Sequence, residues 1–318
     1  MITIRSIASE ELDAWLALSG KGRHDDLLAK RMRSAWESGL AGPSLTFVAE
    51  EDGRPVGRLA YIPASAASSI PDVHEATIAG LWLDPTIDDP VGAGATLLRD
   101  TLPDLPGSVV AVDGYANPEY MPDADLRRDV FAAAGMPLFQ EKEGFVWTPE
   151  SPASPNVPHR LGFRSILEAG PEPFAAIMSR CVVGTLDRQD RYYAALVGPD
   201  DWGREMLTYL TDADAPSWLM ATDPTGAAVG YVLLGDFDES RRGTIIHIGV
   251  APDARGQGYV NELLWACNEA ALRRGFDRVL SDVDVENPPM LAAMERAGHH
   301  AAATPWHVFH HRLDLRGT

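Results

Sequence analysis

Short apolar runs recur along the chain in two sets with matching order and spacing. In the second half, Ser217–Thr222 (SWLMAT), Val229–Leu234 (VGYVLL) and Thr244–Val250 (TIIHIGV) are rich in β-branched and aromatic residues, as half-buried or buried strands are. A DPTG turn joins the first two. In the first half, Leu45–Glu50, Val56–Tyr61 and Thr77–Leu83 repeat the arrangement around an EDG hairpin signal. Two residues past each third strand stands a proline, Pro85 or Pro252, followed by glycines and a helical pattern. Each half then closes on an alanine-rich helix ending at a glycine, Gly135 or Gly298, and a last strand pair. The offset between matched features stays at about 163 to 173 residues, as tandem duplication of one domain produces.

Pro149, Pro152, Pro155 and Pro158 fall in a stretch without hydrophobic periodicity, which reads as an extended linker. The expected organisation is a domain over 1–150, a Pro-rich linker over 151–160 and a second domain over 161–318. The expected fold class is α/β (α+β), with each domain a mixed, mostly antiparallel central sheet flanked by helices.

The second half carries the sharper punctuation. Val260, Leu263, Leu264, Cys267 and Ala271 share one face of a helix, Arg273 and Arg274 suit its last turn, and Gly275 stops it. Arg278–Val285 predicts the next strand, and Asn287 as N-cap with Pro288 behind it starts another helix. Between strand and helix lies Arg255-Gly256-Gln257-Gly258. A glycine turn there presents free backbone N–H groups at a helix N-terminus, which is an anion site. Upstream, Pro171–Cys181 and Trp202–Leu210 predict helices, with VVGTLDRQDRYY between them read as a polar loop that offers Asp187, Asp190, Tyr192 and Tyr193 to a substrate.

Composition narrows the function classes. The 318 residues carry a net charge of −19, which repels nucleic-acid phosphates and anionic membrane surfaces and suits a cationic partner. The two cysteines, Cys181 and Cys267, have no metal-type spacing, so free thiols and a cytoplasmic location are expected. The N-terminus does not read as a signal peptide, and no run approaches the ~18 apolar residues of a membrane span. Of nine histidines, His247, His299, His300, His307, His310 and His311 crowd the end of the chain. Their parity on strands does not assemble ligands, so no metal is expected, and His307 is assigned to an acceptor pocket in the second domain.

VxPxxRGxG at Val250–Gly258 with NxxM…G at Asn287, Met290 and Gly298 resembles the GNAT superfamily of acyl-CoA N-acyltransferases, over residues 161–315. The tandem layout is similar to that of mycothiol synthase. The resemblance implies that Arg255, Gly256, Gln257, Gly258, Tyr259 and Val260 cradle the pyrophosphate of acetyl-CoA. It implies that Ile248, Gly249 and Val250 hold the pantetheine and the oxyanion, and that Asn287 and Met290 flank the thiol end. Two positions depart from the pattern: Val260 replaces a glycine or alanine, and Met294 stands where a tyrosine acid is usual. With Met294 unable to donate a proton, either Tyr259 or water takes that step, or no acid is needed because a thiolate leaves readily.

For the proton acceptor, strand parity selects Thr244, Ile246 and Ile248, none of which titrates. His247 has the opposite parity unless a bulge shifts the register. Asp282 and Asp284 share a face of the next strand, and Asp236, Asp238 and Glu239 could meet a cation at the rim. In the first half Asp88 and Asp89 occupy the place of the pyrophosphate turn, so that domain is expected to be a fold copy without cofactor. The implied function is acetyl-CoA-dependent N-acetyl transfer to a small, cationic amine in a ternary complex, by a monomer or homodimer. The alternatives are a non-catalytic acyl-CoA sensor and a peptide N-terminal acetyltransferase.

Overall fold

The computed structural model describes residues 2–19, 23–63, 74–106, 109–118, 121–151, 157–208, 210, 212–236, 241–302 and 305–313. Pro152, Pro155, Asp238 and Glu239 lie outside them.

The first half of the chain forms β1 (Ile2–Ser6), α1 (Leu12–Leu16), α2 (Arg23–Glu37), β2 (Thr46–Glu51), β3 (Arg54–Pro63) and β4 (His74–Leu83). It continues with α3 (Pro90–Thr101), β5 (Val109–Ala116), α4 (Ala124–Ala133) and β6 (Leu138–Trp147). The second half forms β7 (Gly162–Ser165), α5 (Ile166–Ala169), α6 (Pro171–Val182), α7 (Arg188–Val197), α8 (Pro199–Leu207), β8 (Trp218–Thr222) and β9 (Ala228–Asp236). It ends with β10 (Arg242–Val250), α9 (Tyr259–Arg274), β11 (Arg278–Asp284), α10 (Pro288–Arg296), β12 (His300–Ala301) and β13 (Trp306–Arg312).

Packing divides these elements into two units, Met1–Gln140 with Trp306–Thr318, and Glu141–Pro305. The division falls elsewhere than the Pro-rich stretch. Most of β6, which precedes that stretch, packs with the second unit, and β13 from the end of the chain packs with the first. Local composition marks where a chain is extended, whereas strand pairing is long-range and decides which sheet a strand joins. His307 consequently lies in the first unit, on β13 against β5, and not in the second domain where an acceptor pocket was expected.

Each unit has a mixed, mostly antiparallel sheet. In the first the order is β1-β2-β3-β4-β5-β13, with only β4 and β5 parallel. In the second it is β6-β11-β10-β9-β8-β7, with only β10 and β11 parallel and β12 added to β6. The two turns read from sequence are built as their residues require. Asp52 and Gly53 have φ of 51° and 75°, the left-handed pair of a tight hairpin. In the other, Asp223 Oδ1 accepts the N–H groups of Thr225 and Ala227, and Gly226 takes φ 88°.

Burial follows the helical stripes. Leu97 and Leu98 of α3 and Val130 and Phe131 of α4 fill the first core, while Leu263, Leu264, Cys267 and Ala271 of α9 fill the second, all fully buried. The DRQDRYY segment is a helix, α7, and not a loop. Its Asp187 caps it by accepting the Asp190 N–H at 2.9 Å, and it buries only Ala194 and Val197. Two apolar positions are too few to show a helical period in the sequence.

Candidate active site

In the second unit β10 and β11 pair only from Arg242 to Thr244 against Arg278 to Leu280. Both strands continue, to Val250 and Asp284, so they part and leave a slot between Ile246–Val250 and the end of β11. A strand flank opened in this way accepts an extended chain by backbone hydrogen bonding. The slot runs toward the glycine turn. Gly256 and Gly258 have φ of 77° and 76°, backbone that side-chain-bearing residues enter only at a cost. Their amides and that of Gln257 make no hydrogen bond among the described residues, and α9 begins at Tyr259 with its positive end toward them.

The Arg255 side chain points elsewhere. Its guanidinium donates to the carbonyls of Cys181 (2.8 Å), Val183 (2.9 Å), Gly184 (2.9 Å) and Val250 (3.1 Å). These contacts engage it on the C-terminal end of α6 and leave the turn to its backbone. The cation at the turn is Arg160. It donates to the Gln257 carbonyl at 2.9 Å, lies over the Tyr259 ring at 4.7 Å, and is fixed by the buried Glu262 carboxylate. Glu262 also accepts the backbone N–H groups of Arg160 and Leu161. No motif surrounds Arg160, so its place at the turn is not visible in the sequence. Tyr259 is buried beneath it.

A β-bulge places Ile246 as an extra residue between Ile245, opposite Leu234, and His247, opposite Leu233. His247 lies beyond the bulge and keeps the parity opposite to Ile248 and Val250, on the face of Tyr231, while the bulge brings Thr244 onto that same face; there Gly249 backs onto Cys181 of α6. His247 hydrogen-bonds through Nδ1 to the Tyr231 hydroxyl (2.6 Å) and through Nε2 to Asp190 Oδ2 (2.8 Å). Its ring stacks on Tyr231 and meets Trp202 of α8 edge-on. Burial opposes charge on the ring, but Asp190, seconded by Asp187, outweighs it and holds the His247 pKa above 6.5. Burial likewise opposes the Asp190 charge, yet His247 keeps that carboxyl below its ordinary range, while burial raises Asp187.

The two carboxylates of β11 face the same cluster. Asp282 pairs with Lys142 of β6 at 2.8 Å, and the Lys142 ammonium also approaches Asp187 at 3.9 Å. Burial lowers the Lys142 pKa, but the surrounding carboxylates more than reverse that, so it stays charged. Asp284 is buried and accepts the N–H groups of Arg188 and Glu286, each at 2.8 Å. It holds the α7 N-terminus in place. Asn287 caps α10, accepting the Met290 N–H at 3.4 Å. Met290 is half-buried and Met294 fully buried. Asp236 is exposed, its N–H held by Asp214, which Arg274 neutralises.

The first unit shows what this site becomes when it is closed. Counted back from the matched ends of β4 and β10, Gly80 stands at the place of His247, and counted from Val56 and Val229, Arg58 stands at that of Tyr231. A Cβ on Gly80 would lie 2.6 Å from the Trp15 ring, so Trp15 fills the space. Arg58 is fully buried, lies over Trp15 and donates to the Gly80 carbonyl. At the start of α3 the Asp89 carboxylate accepts the Gly92 N–H at 2.8 Å. The chain supplies its own anion where the second unit leaves amides open. Among the described residues no group of three or more His, Cys, Asp or Glu is placed to hold a metal ion, and no helix is long and apolar enough to cross a membrane.

Residues 186–299, which span the slot, the bulge and the turn, match the sequence model of the Acetyltransferase (GNAT) family. That segment carries a GNAT-family acetyltransferase domain. A mycothiol acetyltransferase of Clavibacter michiganensis is 28% identical over 276 residues, 82% of this chain and 78% of that protein. One from Salinispora tropica is 37% identical over 90 residues, 27% and 29% of the two chains. Among solved structures, a GCN5-related N-acetyltransferase from Sphaerobacter thermophilus aligns over 99% of this chain and 96% of its own, with TM-score 0.61 and 18% identity. A tandem GNAT protein from the clavulanic acid biosynthesis pathway aligns over 98% of each chain, with TM-score 0.60 and 17% identity. The GNAT family uses an acyl-CoA donor; the likeness of fold extends over both units, while the family match lies in the second.

Proposed function

We propose that the second unit transfers an acetyl group from acetyl-CoA to a small cationic amine in a ternary complex. The observation that carries this reading is the Asp190–His247–Tyr231 chain standing beside the β10–β11 slot. The pyrophosphate is assigned to the amides of Gly256, Gln257, Gly258, Tyr259 and Val260, with Arg160 as the nearby cation. The pantetheine pairs along Ile248, Gly249 and Val250, whose backbone polarises the thioester oxygen, and Asn287 and Met290 border the thiol end. The ammonium group of the acceptor is drawn to Asp187 and Asp190, which keep side-chain exposures of 20% each.

Transfer requires a neutral amine. One proton passes to the Asp190–His247 pair. The amine nitrogen then attacks the thioester carbonyl carbon, the C–N bond forms, the C–S bond breaks, and the second proton of the nitrogen passes through water to the departing thiolate, leaving the amide and CoA thiol. CoA leaves as a thiolate, which needs little help from an acid. This suits a site in which Met294 replaces the usual tyrosine.

The test is CoA release measured with a panel of small amines, peptide amines and the acceptor of the Clavibacter relative. Release with a small amine, lowered about 10²-fold or more in His247→Ala, supports the proposal. Met294 favours a second reading, an acyl-CoA-binding protein. Acetyl-CoA binding without release in any member of the panel would establish it.

A further inference from the structure

Two residues, Arg255 of the glycine-turn motif and Asp284, a candidate by its face on β11, make contacts of another kind. Arg255, in the pyrophosphate turn, spends its guanidinium on the carbonyls of Cys181, Val183 and Gly184. These are the last residues of α6 and the start of the connection to α7. Gly184 has φ 66°, and a Cβ there would approach Arg255 at 3.3 Å, so the connection is shaped around the guanidinium. Four residues beyond Gly184, the Arg188 N–H donates to Asp284, at the end of β11, at 2.8 Å. The segment 183–190 is thus fastened at one end to the β10 side of the slot and at the other to the β11 side. It carries Asp187 and Asp190.

We infer that Arg255 and Asp284 are positioning residues that fasten segment 183–190 across the acyl-CoA slot and thereby hold Asp190 against His247. The inference rests on the proposed function, since it concerns the same site. Arg255 satisfies carbonyls at a helix C-terminus, where a cation is favoured and where four acceptors otherwise lack partners. A lysine keeps the charge but has no planar fork with which to bridge several carbonyls. The groups that face His247 are Asp190 and Asp187 from α7, Lys142 from β6, Tyr231 from β9 and Trp202 from α8. Of these, the α7 pair alone is carried by the fastened segment.

The experiment measures two quantities on the full chain: acetyl-CoA affinity by calorimetry, and the His247 imidazole titration by ¹⁵N NMR. Asp190→Asn sets the reference, because removing the carboxylate lowers the His247 pKa. The expected result is that Arg255→Met, Arg255→Lys and Asp284→Asn each move the His247 titration in the same direction as Asp190→Asn. Acetyl-CoA affinity is expected to stay within about threefold of wild type. Asp284→Asn keeps the size of the side chain and provides an independent arm should the Arg255 variants fail to fold. A tenfold or larger loss of acetyl-CoA affinity in Arg255→Met, with Lys retaining affinity and His247 unmoved, would overturn the inference and make Arg255 a phosphate ligand. An unmoved His247 in Asp284→Asn would also overturn it. Failure of the wild-type chain to bind acetyl-CoA is a different outcome and would remove the proposed function itself.

Discussion

Asp190 Oδ2 lies 2.8 Å from His247 Nε2, and the two residues are brought together from α7 and β10 across 57 positions of sequence. Burial alone would push the histidine toward neutrality. The carboxylate outweighs it and holds the pKa above 6.5. The pair takes a proton from the amine only when His247 is unprotonated. Acetyl transfer is therefore expected to rise with pH and to level off above the raised pKa, with the inflection above 6.5. Asp190→Asn should move the inflection to lower pH and lower the plateau. A rate that does not change with pH across this range, measured as kcat/KM for a small amine, contradicts the assignment.

The same shift has a consequence for stability. A histidine whose folded pKa is raised contributes stability that is fully present below its unfolded value, 6.5, and is lost as the pH rises through the folded pKa. Denaturant midpoints followed across that window should show the loss in wild type and not in Asp190→Asn.

Gly256 offers a direct probe of the anion site. Nothing lies within 4 Å of a Cβ at this position, and aspartate tolerates left-handed backbone better than most residues. Gly256→Asp is expected to fold with about 1 kcal/mol less stability. Its carboxylate would stand where the pyrophosphate is assigned, so acetyl-CoA affinity should fall tenfold or more, about 1.4 kcal/mol by calorimetry. Unchanged affinity would place the cofactor elsewhere.

In the first unit Asp89 caps α3 by accepting the Gly92 N–H. Asp89→Ala should cost about 1 kcal/mol in thermal or denaturant unfolding. It should leave acetyl-CoA stoichiometry at one per chain, because Trp15 still fills the place that His247 occupies in the second unit. Two acetyl-CoA per wild-type chain would show that the first unit is not closed.

Glu262, only 1% exposed, accepts two backbone N–H groups and the Arg160 side chain. Glu262→Ala leaves these donors without an acceptor and is expected to cost about 2–3 kcal/mol of stability. It should also weaken acetyl-CoA binding by releasing Arg160 from the turn. Arg160→Ala should reproduce the binding loss with a smaller effect on stability, as unfolding and calorimetry together would show.

Much of this was legible in the residues themselves. The repeated strand runs, the two glycine-bearing turns, the α9 stripe from Leu263 to Ala271 and the Asn287 cap are all local patterns, and the chain folds locally as they require. Glycines at 256 and 258 announce left-handed backbone, and Asp88 and Asp89 put carboxylates at the matching place in the first half. These features depend on near neighbours and intrinsic backbone preference, which sequence spacing records.

What the tertiary structure decided is which distant groups meet. A one-residue bulge at Ile246, set by pairing with β9, put His247 and Thr244 on one face, although their spacing in the sequence places them on opposite ones. Long-range strand pairing placed Lys142 with Asp282 and moved β13, with His307, into the first unit. Competition for backbone carbonyls drew the Arg255 side chain away from its own turn, and Asp284 toward the N–H of Arg188. Each outcome depends on the register and packing of segments far apart in the chain, where a shift of one residue reverses the direction of a side chain. The sequence by itself determined the fold, the donor class and the half that carries the open turn; the hydrogen-bonded chain from Asp190 through His247 to Tyr231 and its fastenings exist only once the strands have paired.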